Sequence, residues 1–494
     1  MVKLLSPQKL ANQPIIGKQL FDVITSGMYD NPLMIYREYI QNAVDSIDFA
    51  YESGIMSIEA GKIKIYVDGE KREIAIEDNG TGISNDSADH ILRSIGASPK
   101  EGQKFRGFRG IGRLGGLAYC DELLFETRSS ASELVCQVSW NRQAFDRLSA
   151  DSTVKFSLQE TISRVSRVSF IQPDDETPSH FFRVRLRGVR RFHADFLMSV
   201  KAITSYLSQV APVPYNQETF KFAGKIQSYL SVLSDYRCYN IELNGRRIYR
   251  PYVDEFQLSE HRRDSIHNIE LFSFKSPDTS RLALGWFAET DFLASLPQKI
   301  TMRGIRIRQG NIEVGDEHFL NEMYTEPRFA GWTIGEIHIC ESRLKPNARR
   351  DGFEISPNYE AFLEQAQALG RGLSKLCRKA SNHRIQKEII CREIAAITGL
   401  LAGQKMFIDD AHIHQARSVL HDKIGNLERL IEKVSPSNGY RETLASIRKA
   451  HHDKISSCQT IETGGRVCLD RQKRIISGTL PVHAATCFCG SVFQ

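Results

Sequence analysis

No stretch of this chain approaches the ~20 consecutive apolar residues that a membrane-crossing helix needs, and Met1-Val2-Lys3-Leu4-Leu5-Ser6-Pro7 has no apolar core of leader length. Both absences lead to the expectation of a cytoplasmic protein. Cysteine supplies no framework: the ten cysteines are scattered, and several fall in apolar runs where a reduced thiol is a small hydrophobe. The one tight pair, Cys487-Phe488-Cys489 near His483, has no second pair to complete a zinc tetrad. Positive charge is thin as well. A net charge of +6 permits contact with nucleic acid without arguing for it, and the only dense basic block runs from Arg183 to Arg191.

What is present is the composition of an ordinary globular protein, 41% hydrophobic and 25% charged. At 494 residues the chain exceeds a single core, and ~150 residues per domain suggests about three domains. Helical spacing over 200–210 followed by Pro212 and Pro214 marks one boundary, and a change to continuous helical pattern near Asn358 marks another. The expected domains are therefore 1–215, 216–355 and 356–494. The middle one carries strand signals, Ile241-Glu242-Leu243 before the hairpin pair Asn244-Gly245 and Leu282-Ala283-Leu284-Gly285-Trp286-Phe287, and reads as α/β. The last one is mainly helical: Leu363, Ala366, Leu369, Leu373 and Leu376 recur at helical steps, as do Val419, Leu420, Ile424, Leu427, Leu430 and Ile431. That stripe suits a helical cap or a seam between two copies; its narrow, charge-flanked form leads to the expectation of a homodimer. The last forty residues show no clear period.

The densest chemistry lies near the start. Glu38 and Asn42 are one helical turn apart in Glu38-Tyr39-Ile40-Gln41-Asn42-Ala43-Val44-Asp45, with Ile40, Val44 and Ile47 as the apolar stripe. A carboxylate and an amide then look into one pocket. The alternating run Lys62 to Val67, the hairpin pair Asp68-Gly69 and the strand Arg72 to Glu77 lead to Asp78-Asn79-Gly80-Thr81-Gly82-Ile83, where a strand meets a glycine turn able to approach a flat ligand. An acceptor at Asp78 suits an adenine amino group. Downstream, Ser98-Pro99-Lys100 and Lys104 precede Gly107-Phe108-Arg109-Gly110-Ile111-Gly112, whose free backbone N–H groups and neighbouring cations suit polyphosphate. A helix-length segment and the strand Glu122 to Thr127 follow.

In this order the motifs resemble the ATP-binding domain of the GHKL superfamily, which implies a two-layer α/β sandwich of the Bergerat type at the N-terminus. Within it, Gly17 to Asp48, including an opening helix through Leu20, Ile24 and Tyr29, resembles the ninety-kilodalton heat-shock chaperones. The resemblance implies Glu38 as general base, Asn42 as Mg²⁺ ligand, Asp78 as the carboxylate reading adenine, Gly82 as a backbone contact and Thr127 as a partner around the base. It groups Asp45, Gly80, Ile83 and Ile111 with them, makes Ser94 to Lys100 the start of a lid, and makes Gly107, Gly110 and Gly112 its hinge and phosphate loop. The basic run Phe105-Arg106-Gly107-Phe108-Arg109 departs from that pattern. A carboxylate at position 38 separates the hydrolysing branches from the sensor kinases, where water must not attack the phosphate.

A second resemblance to the same chaperones covers Met302 to Arg308, Gly331 to Ile339 and Leu344-Lys345-Pro346-Asn347-Ala348-Arg349-Arg350-Asp351. It implies a middle-domain loop whose arginine meets the γ-phosphate, with Arg350 in that role and Arg349 as competitor. The function it implies is an Mg²⁺-ATP-dependent ATPase, a dimeric clamp on protein clients. The rival is an ATP-gated clamp on DNA, of the topoisomerase, mismatch-repair or chromatin kind, within a genome-defence module; a nucleotide-sensing scaffold is a third possibility, against which Glu38 argues.

Overall fold

A computed structural model of the chain describes residues 31–94, 112–150, 157–191, 194–278, 280–347, 349–403, 406–407, 410–434, 438–457 and 459–460. The expected opening helix, most of the lid segment after Ser94, the glycine run up to Ile111 and the pair Cys487 and Cys489 lie outside these residues. The chain divides into two compact units, Met1–Ser374 and Lys375–Gln494.

Among the described residues the first unit's first helix is α1 (Met34–Glu52), whose stripe Tyr36, Ile40, Ala43, Val44 and Ile47 is buried against the sheet. Each fully buried isoleucine or valine there contributes roughly 1.5–3 kcal/mol relative to an exposed one. Strands β1 (Lys62–Asp68) and β2 (Glu73–Asp78) pair antiparallel. Their connection is longer than the two-residue hairpin expected at Asp68-Gly69. Asp68 pairs with Glu73, so residues 69–72 form the loop, and Asp68 Oδ1 accepts from the N–H groups of Glu70 and Lys71. Helix α2 (Asn85–Arg93), strands β3 (Glu122–Arg128) and β4 (Val135–Asn141), helices α3 (Arg142–Ala150) and α4 (Leu158–Val165), strands β5 (Ser166–Ile171) and β6 (Phe181–Arg187) and helix α5 (Val200–Val210) follow. The segment before β3 is a 3-10 stretch, Gly112–Ala118, rather than a regular helix.

After helix α6 (Ala223–Leu230) comes the pair β7 (Asn240–Leu243) and β8 (Arg246–Arg247), turned by Asn244 and Gly245, both at positive φ (48° and 77°). This hairpin does not belong to the middle sheet, as its sequence position suggested. β7 pairs parallel with β1, completing an eight-stranded sheet in the order β5-β4-β3-β6-β2-β1-β7-β8. One apolar cluster accordingly runs from Leu33 to Ile248, past residue 215. The following elements are β9 (Glu255–Ser259) with β10 (Arg262–Ser265), then β11 (Asn268–Lys275), β12 (Arg281–Glu289), β13 (Gly304–Gln309), β14 (Ile312–Val314) and β15 (Ile334–Ile339). The last five form a sheet in the order β11-β12-β15-β13-β14 around Trp286, Tyr252 and Phe220.

Helix α7 (Pro357–Ala402) starts with proline at its first position behind Ser356, whose Oγ accepts from the Tyr359 N–H at 3.2 Å. In the second unit its later part meets α8 (Asp410–Val434) and α9 (Asn438–Ser457). Leu420, Ile424, Leu427 and Ile431 pack there with Ile390, Ile397, Tyr440 and Ile447. Part of the stripe expected to form a seam between copies is thus packed inside the chain, while its Leu376 and Val419 stay exposed.

Candidate functional site

The register of the sheet sets the site's floor. Asp78 and Thr127 both lie opposite Phe182, on either side of β6, and residues directly across a ladder share a face. That face is the helix-covered one, because Ile74 and Ile76, four and two residues before Asp78, are buried in the core. Asp78 is 3% exposed and Thr127 fully buried. Asp78 Oδ1 accepts from the Gly80 N–H at 2.9 Å, which bends the chain back at the strand end. Thr127 Oγ1 accepts from the Ile83 N–H at 2.8 Å and donates to the Phe181 carbonyl at 3.1 Å, tying the far end of the same turn to β3 and β6. His180 Nδ1 donates to the Gly80 carbonyl at 2.7 Å.

The glycines in this turn are required by the protein's own packing. A Cβ at Gly80 would stand 2.1 Å from Ser46 Oγ on α1; one at Gly82, which has φ +63°, would stand 1.9 Å from the Arg128 carbonyl oxygen. Close approach of chain to chain, and not only of chain to ligand, explains them.

Helix α1 lies along this turn. Ser46 touches Gly80, and Glu38, Asn42 and Ser46 follow each other at four-residue steps, so the row on α1 leads back from the turn. Glu38 and Asn42 are half-buried, and Asp45 is buried on the same helix. Tyr39 anchors α1 to the stretch that begins at Gly112: its hydroxyl donates to the Arg113 carbonyl at 3.0 Å and accepts from the Gly116 N–H at 3.1 Å. Burial pulls the Arg113 guanidinium down to about 10. The structure thus brings together Asp78, Gly80, Gly82, Ile83 and Thr127, with the row of Glu38 and Asn42 leading to them. Lys100, Gly107, Gly110 and Ile111 lie outside the described residues.

The middle-domain loop reaches this helix. Arg37 Nη2 donates to the Arg349 carbonyl at 3.0 Å, and the same Nη2 lies 3.6 Å from Glu38 Oε1. Arg350 is buried at φ +55°, its carbonyl accepting from the Gly315 N–H at 2.8 Å, whereas the Arg349 side chain is exposed. A loop more than three hundred residues away in sequence therefore sits one residue from the helical carboxylate.

Sequence reasoning passed over Arg37, Tyr39, Ser46 and His180. Tyr39 and Ser46 were detectable in principle, as helical neighbours of Glu38 and Asn42; His180 carries no local signal. The donor set suits a purine nucleotide with a hard cation. It offers a buried carboxylate at a strand end, and an amide oxygen and carboxylate on the facing helix.

Comparison with known proteins bears on the same region of the chain. Residues 37–169 match the family described as histidine kinase-, DNA gyrase B-, and HSP90-like ATPase. The chain is 23% identical over 198 residues to the chaperone protein HtpG of Natranaerobius thermophilus, covering 36% of this chain and 31% of the relative. It is 29% identical over 177 residues to HtpG of Chlorobium phaeobacteroides (32% and 27%), and 23% identical over 229 residues to HtpG of Geobacter metallireducens (42% and 34%). The matches span about a third of the length of these relatives. The chain carries an ATPase domain of the GHKL type and is distantly similar to HtpG.

Proposed function

We propose that this protein is an Mg²⁺-dependent ATP hydrolase that works as an HSP90-like clamp on protein clients in the cytoplasm. The observation that carries the proposal is the contact of Arg37 with the Arg349 carbonyl, which sets the arginine loop beside Glu38. Mg²⁺-ATP, when bound, supplies the scissile phosphoanhydride and the cation that offsets its charge. Asp78 accepts from the adenine amino group, and Thr127 holds the turn that carries it. Asn42 offers its amide oxygen to the cation. Glu38 orients the attacking water and takes its proton, and Arg350 stabilises the charge that develops on the transferred group.

The one dense basic block that a DNA clamp could have used is largely paired within the fold. Arg183 pairs with Glu77 at 2.6 Å, Arg185 with Glu126 at 2.6 Å and Glu73 at 2.9 Å, Arg187 with Glu122 at 3.2 Å and Arg190 with Asp121 at 3.0 Å. Four arginines of the block are thus paired with carboxylates of its own sheet and the adjoining loop. Association of two copies would use apolar side chains left outside that packing, such as Val419 of α8 and Ile385, Ile389 and Leu400 of α7. Turnover measured alone, with duplex DNA and with an unfolded model protein is the test. Mg²⁺-dependent turnover that responds to the unfolded protein is expected; stimulation by DNA alone overturns the client reading.

A further inference from the structure

We propose that the β13–β14 hairpin is a strut that sets the Arg349–Arg350 loop against α1, with Asn311 as its positioning residue. Only the kinetic consequence rests on the ATPase reading. At one end the strut holds the arginine loop, because β14 stops at Val314 and the next N–H, that of Gly315, donates to the Arg350 carbonyl at 2.8 Å. At the other end is its turn, Gly310 and Asn311, both at positive φ. The Asn311 side chain is 2% exposed; its Nδ2 donates to the Arg237 carbonyl at 2.7 Å and its Oδ1 accepts from Arg250 Nη2. Arg237 in turn donates through Nη1 to Asp48 Oδ1 on α1 at 2.9 Å, and the Tyr239 hydroxyl donates to the same oxygen.

A buried charge cluster keeps the strut stiff. Arg250 and Arg308 converge on Glu336 Oε1 at 2.5 and 2.8 Å, and the Tyr252 hydroxyl joins them at 3.0 Å. Tyr215 and His338 occupy Oε2 at 2.5 and 3.0 Å. Arg308 also donates to the Gln209 carbonyl at the end of α5, and Arg306 Nη2 donates to Gln209 Oε1 at 2.6 Å while its Nη1 pairs with Glu313 at 2.7 Å. Removing one charged member of such a buried set is strongly destabilising, so Glu336, Arg250 and Arg308 hold each other in one arrangement. Helix α1 is consequently held at both ends by later parts of the chain, through Arg37 and Arg349 at its start and through Asp48 and Arg237 near its end. The arginine loop reaches the site along a fixed path within one compact unit, without a separate docking step.

Asn311→Gly tests this in the full chain. Glycine accepts φ +63° without strain, so the turn survives while the side-chain bonds to the Arg237 carbonyl, Cys238 Sγ and Arg250 are lost. The expected result is faster amide hydrogen exchange in residues 343–352 and in α1, with β3 and β4 unchanged. Turnover should fall by roughly ten- to a hundredfold, as for a small misplacement of a catalytic group, while the Kd for Mg²⁺-ADP stays within about twofold. Loop exchange equal to that of the parent, or turnover and nucleotide affinity falling together, would overturn the strut. A parent protein that binds nucleotide without hydrolysing it removes the ATPase reading alone, and the exchange comparison then decides the strut by itself.

Discussion

Replacing Asp78 by asparagine separates the adenine-reading role from the structural one. Asp78 is 3% exposed, and its Oδ1 accepts from the Gly80 N–H at 2.9 Å. Asparagine is nearly isosteric and keeps an oxygen for that N–H, so the strand-end turn, with its close Gly80 to Ser46 packing, should persist. The ionised acceptor is what disappears. A hydrogen bond to a charged group is worth about 1.5–3 kcal/mol, so nucleotide affinity should fall by roughly ten- to a hundredfold. Asp78→Ala adds a second effect: the Gly80 N–H loses its partner in a buried place, a cost of about 1–3 kcal/mol in stability. Calorimetric titration with ATP and thermal unfolding read the two quantities separately. Weakened binding in Asp78→Asn at an unchanged melting temperature is expected. If the asparagine variant binds ATP as the parent does, Asp78 is not the adenine acceptor.

Three further outcomes are expected. Glu38→Ala should still bind ATP and lose ~10²–10⁴ in turnover, as removal of a general base does; single-turnover assays at saturating ATP check it, and parental rates assign the base elsewhere. Arg350→Ala should lower kcat with little effect on nucleotide affinity, whereas Arg349→Ala should be mild, because Arg349 contributes its carbonyl, which alanine retains, and its side chain is exposed; an inactive Arg349→Ala with an active Arg350→Ala would exchange the two roles. Burial, only partly offset by Glu336, pulls His338 down to about 4, so below pH ~6.5 the unfolded chain takes up a proton that the folded chain refuses. Stability should fall as pH drops from about 6.5 towards 4, and His338→Gln should flatten that slope; identical slopes by calorimetry would refute it.

Interactions between near neighbours in sequence were legible without a structure. The helical row from Glu38 to Asn42, the strand ending at Asp78, the Asn244-Gly245 turn and the helix over 200–210 are each written in periodicities of two or about four, and in residues that accept positive φ. The loop of residues 69–72 was misjudged because Asp68, which ends its strand by accepting two N–H groups, looks the same in sequence as the first residue of a two-residue turn.

Contacts distant in sequence carry no such mark. Only the folded chain pairs β7 with β1, because a parallel partner is chosen by which edge the intervening chain can reach, not by the strand's own residues. Only the fold pairs the arginines of strand β6 with Glu77, Glu126, Glu73 and Glu122 beside it, and covers Leu420, Ile424, Leu427 and Ile431 of α8 with the neighbouring helices. The candidate residues around Glu38 and Asp78 could be put forward from sequence because their chemistry is local to two short segments. The meeting of Arg37 with the Arg349 carbonyl was decided by tertiary structure, since a hydrogen bond to a backbone oxygen leaves no trace in the identity of the residue that accepts it.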